Sequence, residues 1–441
     1  MQAYPFARSK MNKILPKQLE KYFDRLWPIP RSIMGPGFRD SLKILSEVVP
    51  FRKYKWKTNE KILDWTVPKE WRPKDAFFTD PSGKKRAEFK KNNLHLVNYS
   101  VPFSGIISLS ELKKHLHSIP KQEEAVPYIT SYYRPYWGFC ISEKDKKNLP
   151  QGNYKVKVDT TLVSGELIIG EAVLKGASKK EILFSSYLCH PSLANNELSG
   201  PLVLSFLYKK LQNIKKRKFT YRFVIVPETI GAVAFLKLRG EQLKENMIGG
   251  YQITCVGDGG PFTYKRSRRG DTLSDRAALK FMAGKRNGKI LPFNPAIGSD
   301  ERQYCSPGYN LPMGSLMRTP YASYEEYHTS LDNKSFIDFK KMAETIDAYS
   351  CIVKSIEDGE YWINLCPNGE PQLGPRGLFR SLSQKKRDSE ELAMWWLLNY
   401  SDGSYDLDYI SKLANIDVSL LRSVANKIKS RGFFEEIKKV L

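Results

Sequence analysis

Glu181-Ile182-Leu183-Phe184-Ser185-Ser186-Tyr187-Leu188-Cys189-His190-Pro191-Ser192-Leu193-Ala194-Asn195-Asn196-Glu197-Leu198-Ser199-Gly200 is the stretch on which the reading of this chain turns. An apolar run leads to a histidine, a loop of small polar residues follows, and a hydrophobic helix opens after it. A buried strand that delivers an imidazole to its carboxyl end, ahead of a helix N-terminus, is where α/β proteins place their chemistry. The chain has five histidines, and a second one, His328, sits in another polar turn, Tyr327-His328-Thr329-Ser330. Histidines in such loops are better ligand or acid/base candidates than histidines on apolar faces.

Outward from that stretch, residues 156 to 365 alternate strand and helix patterns. Leu167 to Val173, Ile182 to Tyr187, Tyr221 to Val226 and Tyr251 to Val256 read as strands. Leu202 to Leu211 and Ile230 to Leu238 read as helices, the first apolar nearly all round and hence buried. Phe339, Met342, Ala343, Ile346, Ser350 and Val353 mark one face of a closing helix. The expected fold class is α/β, with a mixed, largely parallel sheet and flanking helices.

The flanking regions differ in character. Residues 1 to 60 hold helical stretches at Gln18 to Trp27 and Phe38 to Val49 around Pro28-Ile29-Pro30. Residues 61 to 155 carry short aromatic and β-branched segments between Pro and Gly, expected as a small β-rich module with a strand at His95 to Tyr99. After the loop Pro367 to Pro371, helices at Leu392 to Tyr400, Leu407 to Ala414 and Val418 to Ser430 precede a strand-like tail from Arg431. That is the plan of a winged helix over 377–441.

Composition narrows the function classes. At 441 residues, 41% hydrophobic and 12% aromatic, the chain is an ordered globular protein of two or three domains. Six scattered cysteines without a CxxC pair read as reduced thiols. Met1 to Leu19 has no continuous apolar core and no run approaches a membrane span, so a cytoplasmic protein is expected. The net charge of +24 has two readings: a lysine-rich solvated surface, or a site for a polyanion. The same pair applies to Tyr264-Lys265-Arg266-Ser267-Arg268-Arg269, a basic segment that either draws in an anionic substrate or is a solvated loop.

Four polar positions converge if the middle region forms one sheet. His190, Glu228 and Asp258 each follow a strand, and His328 lies in a later loop. Two imidazoles and two carboxylates at strand ends are a donor set for Zn²⁺ that leaves one carboxylate as general base. Each has a structural alternative: Glu228 as a helix cap, Asp258 as the holder of a Gly-rich turn, His190 as a backbone partner.

The combination Cys189-His190-Pro191-Ser192, Asn195 to Gly200, Pro227-Glu228-Thr229-Ile230-Gly231, Gly298-Ser299-Asp300-Glu301-Arg302-Gln303-Tyr304 and Tyr327 to Asp332 resembles the zinc aminopeptidases of the M28 type. It is closer to a bacterial group of aminopeptidase-like proteins often found with surface-polysaccharide genes. Leu94-His95-Leu96, Tyr132-Tyr133 and Trp137 to Cys140 in the inserted module fit that group too. The resemblance implies a discontinuous α/β domain (1–60 and 156–365), an inserted β domain (61–155) and the winged helix. It implies His190, Asp258 and His328 as metal ligands and Glu228 as the general base. Thr229 stands where the M28 enzymes have a second glutamate ligand, and Asn196 where they have the bridging aspartate. A neutral amide bridges dications poorly and Thr is a weak zinc ligand. One zinc, held by His190 and Asp258 with His328 or Glu197 completing the shell, is therefore expected in place of two.

Asp300, Glu301 and Arg302 are candidates for holding a substrate's amine and carboxylate, or else form an internal salt-bridge turn. The expected function is zinc-dependent hydrolysis of a peptide or amide bond. Its alternatives are an amide- or acyl-processing enzyme of glycan assembly, and a non-catalytic DNA- or partner-binding protein on a degenerate peptidase scaffold. Arg422, Lys427, Lys429 and Arg431 on the last helix suit phosphate contacts, although docking to protein suits that module as well. A homo-oligomer is compatible with all of these.

Overall fold

The computed structural model describes residues 14–378 and 388–439. Two helices come first, α1 (Pro16–Leu26) and α2 (Pro36–Leu45), each opened by a proline whose missing N–H costs nothing in a first turn. The large sheet has eight strands: β1 (Arg52–Lys57), β2 (Glu166–Leu174), β3 (Glu181–Tyr187), β4 (Thr220–Val226), β5 (Met247–Gln252), β6 (Thr263–Lys265), β7 (Lys289–Leu291) and β8 (Met313–Met317). Their order is β1-β2-β4-β3-β5-β8-β6-β7. The central run β4-β3-β5-β8 is parallel, while β1, β2 and the β6–β8 pair are antiparallel additions.

Every residue of β3 is buried, as a parallel strand covered on both faces must be. Phe184 faces a core with α1, α2, α3 (Ser199–Leu211) and α6 (Phe339–Asp358); α4 (Ile230–Asn246) and α5 (Leu273–Met282) are the helices between. Its neighbours Leu183 and Tyr187 face the opposite core, formed with α4 and the inserted β module. Alternation along one strand thus divides two hydrophobic layers. Strand order reverses at β3, with β4 on one side and β5 on the other, so a crevice opens past its carboxyl end.

Strand β5 starts and ends earlier than Tyr251 to Val256. Gly249 and Gly250 lie inside it, residues that a propensity reading does not assign to a strand. Gly250 is required by packing: a Cβ there would stand 2.4 Å from the Met247 methyl and 2.9 Å from the Leu183 carbonyl. The basic segment at 264–269 is also partly structural. Tyr264 and Lys265 are buried in β6, and only Arg268 and Arg269 are exposed.

The inserted module is built on a four-stranded antiparallel sheet, ordered Lys85–Arg86, Glu70–Thr79, Asn153–Val163, Phe103–Ser108. Residues 95–99 do not form the expected strand. Asn92 caps a single turn at Asn93–His95, and the rest makes isolated bridges to Phe139 and Thr130. The segment is committed to joining modules: Asn98 Nδ2 donates to the Arg31 carbonyl at 2.9 Å.

At the C-terminus, α7 (Ser389–Tyr400), α8 (Leu407–Ala414) and α9 (Val418–Ser430) pack on a three-stranded sheet. That sheet consists of β9 (Tyr361–Asn364), β10 (Asp402–Asp406) and β11 (Phe434–Glu436), with β9 central. Three helices and a small sheet are a winged helix. No helix among the described residues is long and apolar enough to cross a membrane.

Candidate metal and active site

Past the end of β3 the chain turns at Leu188-Cys189-His190 and enters a wide turn, Ala194–Leu198, whose five residues are all buried. The turn folds Glu197 back on the histidine. One carboxylate oxygen accepts the His190 backbone N–H at 2.9 Å and pairs with Nδ1 at 2.7 Å. With Nδ1–H committed to Glu197, Nε2 is the nitrogen left for chemistry. Burial pushes the imidazole down, but Glu197 and then Glu228 outweigh it, and the net shift is upward.

Arg31, which the sequence reading passed over, completes this support. It is fully buried, donates to the His190 carbonyl at 3.0 Å and lies 3.8 Å from Glu197. A guanidinium here neutralises the carboxylate that orients the ring. Its signal in the sequence is one arginine after a Pro-Ile-Pro turn, which carries no chemical meaning until the fold closes.

Glu228 follows β4 and is the carboxylate nearest the free nitrogen. Its Oε2 lies 3.6 Å from His190 Nε2, and its Oε1 accepts the Ser299 hydroxyl at 2.6 Å. The next residue, Thr229, has φ +63°, a strained conformation for a β-branched residue. Its N–H donates to Asp300 at 2.7 Å. Ser299 and Asp300 therefore fix the corner that aims Glu228.

That arrangement turns the expected substrate residues inward. Asp300 is fully buried, and burial followed by the Glu228 charge holds it well above the usual carboxylate range. Glu301 pairs with Lys265 at 2.7 Å and accepts the Tyr321 hydroxyl at 3.0 Å. Arg302 donates to the Ser299 carbonyl at 3.2 Å. All three build the support under Glu228, and none lines the cavity that His190 faces.

Asp258 is likewise spent. Its two oxygens take four donors: Asn195 Nδ2 at 2.9 Å, the Thr319 hydroxyl at 2.6 Å, and the N–H groups of Gly260 and Thr319 at 2.7 and 3.2 Å. It ties loops together and does not line the cavity. Nearer the site stands a neutral network. The Tyr187 hydroxyl donates to the Asn196 side-chain carbonyl and lies 2.5 Å from the Thr254 hydroxyl.

His328 lines the same cavity. Its ring stacks on Tyr327 at 4.0 Å and lies 5.4 Å from the His190 ring, with Tyr128 against both. Burial and the neighbouring His190 push its pKa down to about 3, so the ring is neutral. Its Nε2 is buried and has no hydrogen-bond partner. A buried ring nitrogen left unpaired in this way costs free energy unless something outside the chain meets it. The cavity is about 300 Å³ and is lined by His190, Glu228, His328, Tyr128, Tyr132 and Tyr133 among others.

Two donor groups can be tested against a zinc ion. Cys189, His190 and Glu197 offer three ligand atoms within 4.8 Å of one another. This group does not fit: Nδ1 is committed to Glu197 Oε2, burial pushes the Cys189 thiol well up, and the Arg31 cation stands 3.8 Å from Glu197 Oε1. On the cavity side, the donor types fit a single ion. His190 Nε2 has a carboxylate on its other nitrogen, the usual partner of a metal-bound imidazole, and His328 Nε2 is unpartnered. Glu228 is the one carboxylate lining this cavity, so it serves as third ligand or as base and not as both. Asn196 is neutral and already engaged, and Thr229 lacks a carboxylate, so neither position offers an acidic ligand for a second ion.

Residues 20–359 match a family described as a domain of unknown function (DUF4910), and residues 360–436 match a winged helix-turn-helix family. A Clostridium acetobutylicum protein, provisionally named for polysaccharide biosynthesis with an aminopeptidase-like domain, is 39% identical over 413 residues, covering 93% of this chain and 94% of the relative. A crystal structure of a candidate peptidase from the same organism is 37% identical, covers 96% of each chain and has a TM-score of 0.77. The zinc aminopeptidase of Bacillus subtilis superposes with a TM-score of 0.57 at 11% identity, covering 79% of this chain and 96% of its own. That last likeness is one of fold: the α/β part shares the fold of the zinc aminopeptidase and of an M28 peptidase precursor from Shewanella amazonensis.

Proposed function

Because the chain belongs to the DUF4910 family and is built on an aminopeptidase-like scaffold, we propose that it is a zinc-dependent hydrolase of peptide or amide bonds. The observation that carries the reading is the unpartnered Nε2 of His328 on a ring 5.4 Å from that of His190, with Glu228 Oε2 3.6 Å from His190 Nε2. His190 and His328 would hold one ion, which when bound supplies Lewis acidity toward a carbonyl and toward water. Glu228 accepts the proton of the attacking water at Oε2 and returns it to the leaving amine. The Ser299 hydroxyl, donating to Oε1, keeps Oε2 turned to the reacting side. Glu197 fixes the ring of His190 and Arg31 balances its charge. With two protein ligands in place of three or more, the ion is expected to be held weakly and to be removed by dialysis against chelator.

The test is zinc content and hydrolysis of a panel of aminoacyl and peptide amides by wild type, His190→Ala and Glu228→Gln. Zinc-loaded wild type should cleave at least one substrate, and His190→Ala should lose the ion. Glu228→Gln should keep it while losing about 10²- to 10⁴-fold in kcat. Wild type that takes up no zinc, or that is inert across the panel when loaded, sinks the reading. A second reading has the same groups act on an amide or acyl group of a glycan precursor. It is favoured by the relative named for polysaccharide biosynthesis. Cleavage of N-acyl sugars with inert peptide amides would select it.

A further inference from the structure

Beyond Tyr132 and Tyr133 the molecule has a second cavity of about 220 Å³, and these two residues line both. Tyr132 is the partition. Its hydroxyl meets that of Tyr128 at 2.8 Å on the side of His190, and its ring packs edge-on against Tyr99 at 5.2 Å on the other. Tyr133 is 55% exposed and lies edge-on to Trp65 at 5.7 Å, so the two rings form the rim. The second cavity differs from the first in charge. Lys69 and Arg134 line it, both exposed, and no carboxylate pairs with either among the described residues. The adjacent Glu70 points to the opposite face, where Arg39 and Arg72 hold it at 2.6 and 2.8 Å.

We propose that this second cavity is an anion subsite, in which Lys69 and Arg134 bind a phosphate or carboxylate group of a ligand whose other end reaches His190 across Tyr132. The proposal deepens the hydrolase reading by naming the substrate class: an amide that carries an acidic group, with an apolar or sugar-ring portion against Tyr133 and Trp65. Arg134 supplies a planar fork that matches either oxyanion, and Lys69 adds a compact charge. A net charge of +24 draws anions to the surface, and two unpaired cations at a concave aromatic rim give them one place to stop.

The anion-binding part is tested without relying on hydrolysis. In a Glu228→Gln background, inorganic pyrophosphate and succinate are titrated at constant ionic strength by calorimetry. The background is compared with Lys69→Ala/Arg134→Ala and with the charge-matched control Lys285→Ala/Arg286→Ala. Loss of about tenfold or more in affinity for one of the anions in the first pair, and about twofold or less in the control, supports the subsite. Pyrophosphate preference assigns a phosphate ligand and succinate preference a carboxylate. Equal loss in both pairs, or loss in neither, overturns it. Hydrolysis is then scored separately: on amides bearing an acidic tail, Lys69→Ala/Arg134→Ala should raise KM with kcat kept. An inert wild type with intact, Lys69-dependent anion binding removes the hydrolase reading and leaves the subsite standing.

Discussion

Glu197 governs what His190 can do. Its carboxylate takes Nδ1–H, faces Arg31 and lies wholly inside the protein. Glu197→Gln should weaken zinc binding about 10- to 100-fold, since a carboxylate behind a ligating imidazole raises its basicity. It should also cost about 3–5 kcal/mol of stability, because Arg31 is left as an uncompensated buried charge. Zinc titration and urea unfolding read the two effects separately. Gly200 is a second decisive residue. A Cβ there would stand 2.5 Å from both the Ile253 carbonyl and the Ser186 hydroxyl, so Gly200→Ala should destabilise the fold by about 1–3 kcal/mol in urea. The histidines were legible from their scarcity and loop setting. Asp258 misled because an aspartate in Gly-Asp-Gly-Gly reads the same whether it binds metal or caps its own turn, and only the positions of Asn195 and Thr319 tell which.

Among the elements, the hairpin joining Glu70–Thr79 to Lys85–Arg86 carries a pH-dependent brace. Asp80 accepts the Ser82 hydroxyl at 2.6 Å and the N–H groups of Ser82 and Lys84 at 3.0 Å, and pairs with Arg86 at 3.0 Å. The Ser82 bond above all lowers its pKa to about 2. The folded value lies below the unfolded one, near 4, so the stabilisation is present above about pH 4 and is lost as pH falls through 2. Asp80→Asn should lower the urea midpoint at pH 7, and its difference from wild type should close by about pH 2. Helices such as α6 and α9 were legible because a 3.6-residue period is written locally. The wide turn at 194–198 was not, since its shape depends on Asp332 accepting the N–H groups of Asn195 and Asn196 at 2.6 and 2.9 Å.

Over the whole molecule, the winged helix is fastened to the aminopeptidase-like part. Arg276 of α5 lies 4.4 Å from the ring centres of both Tyr405 and Tyr409 and donates to the Ser404 carbonyl at 2.6 Å. The Tyr409 hydroxyl donates to Asp271 at 2.6 Å. Arg276→Ala should loosen this seat by about 1–2 kcal/mol, seen as faster hydrogen exchange in β10 and α8 with the strands around His190 unchanged. The basic residues expected to meet phosphate are partly occupied: Arg422 pairs with Glu360, Lys427 with Glu390, and Lys429 lies over Trp362. Any DNA affinity should therefore be weak, with the shallow salt dependence of few phosphate contacts, and without preference among duplex sequences in gel shifts.

The sequence by itself determined the kinds of element, the largely parallel sheet, the winged-helix tail and the neutral residues at positions 196 and 229. Each of these is a local pattern or a residue identity. Only the tertiary structure decided that Asp258, Asp300 and Glu301 face inward, that Arg31 backs Glu197, and that Tyr132 divides two cavities. The physical reason is one of distance along the chain. The site draws on residues from 31 to 328, and which nitrogen, oxygen or ring meets which depends on how those distant segments pack.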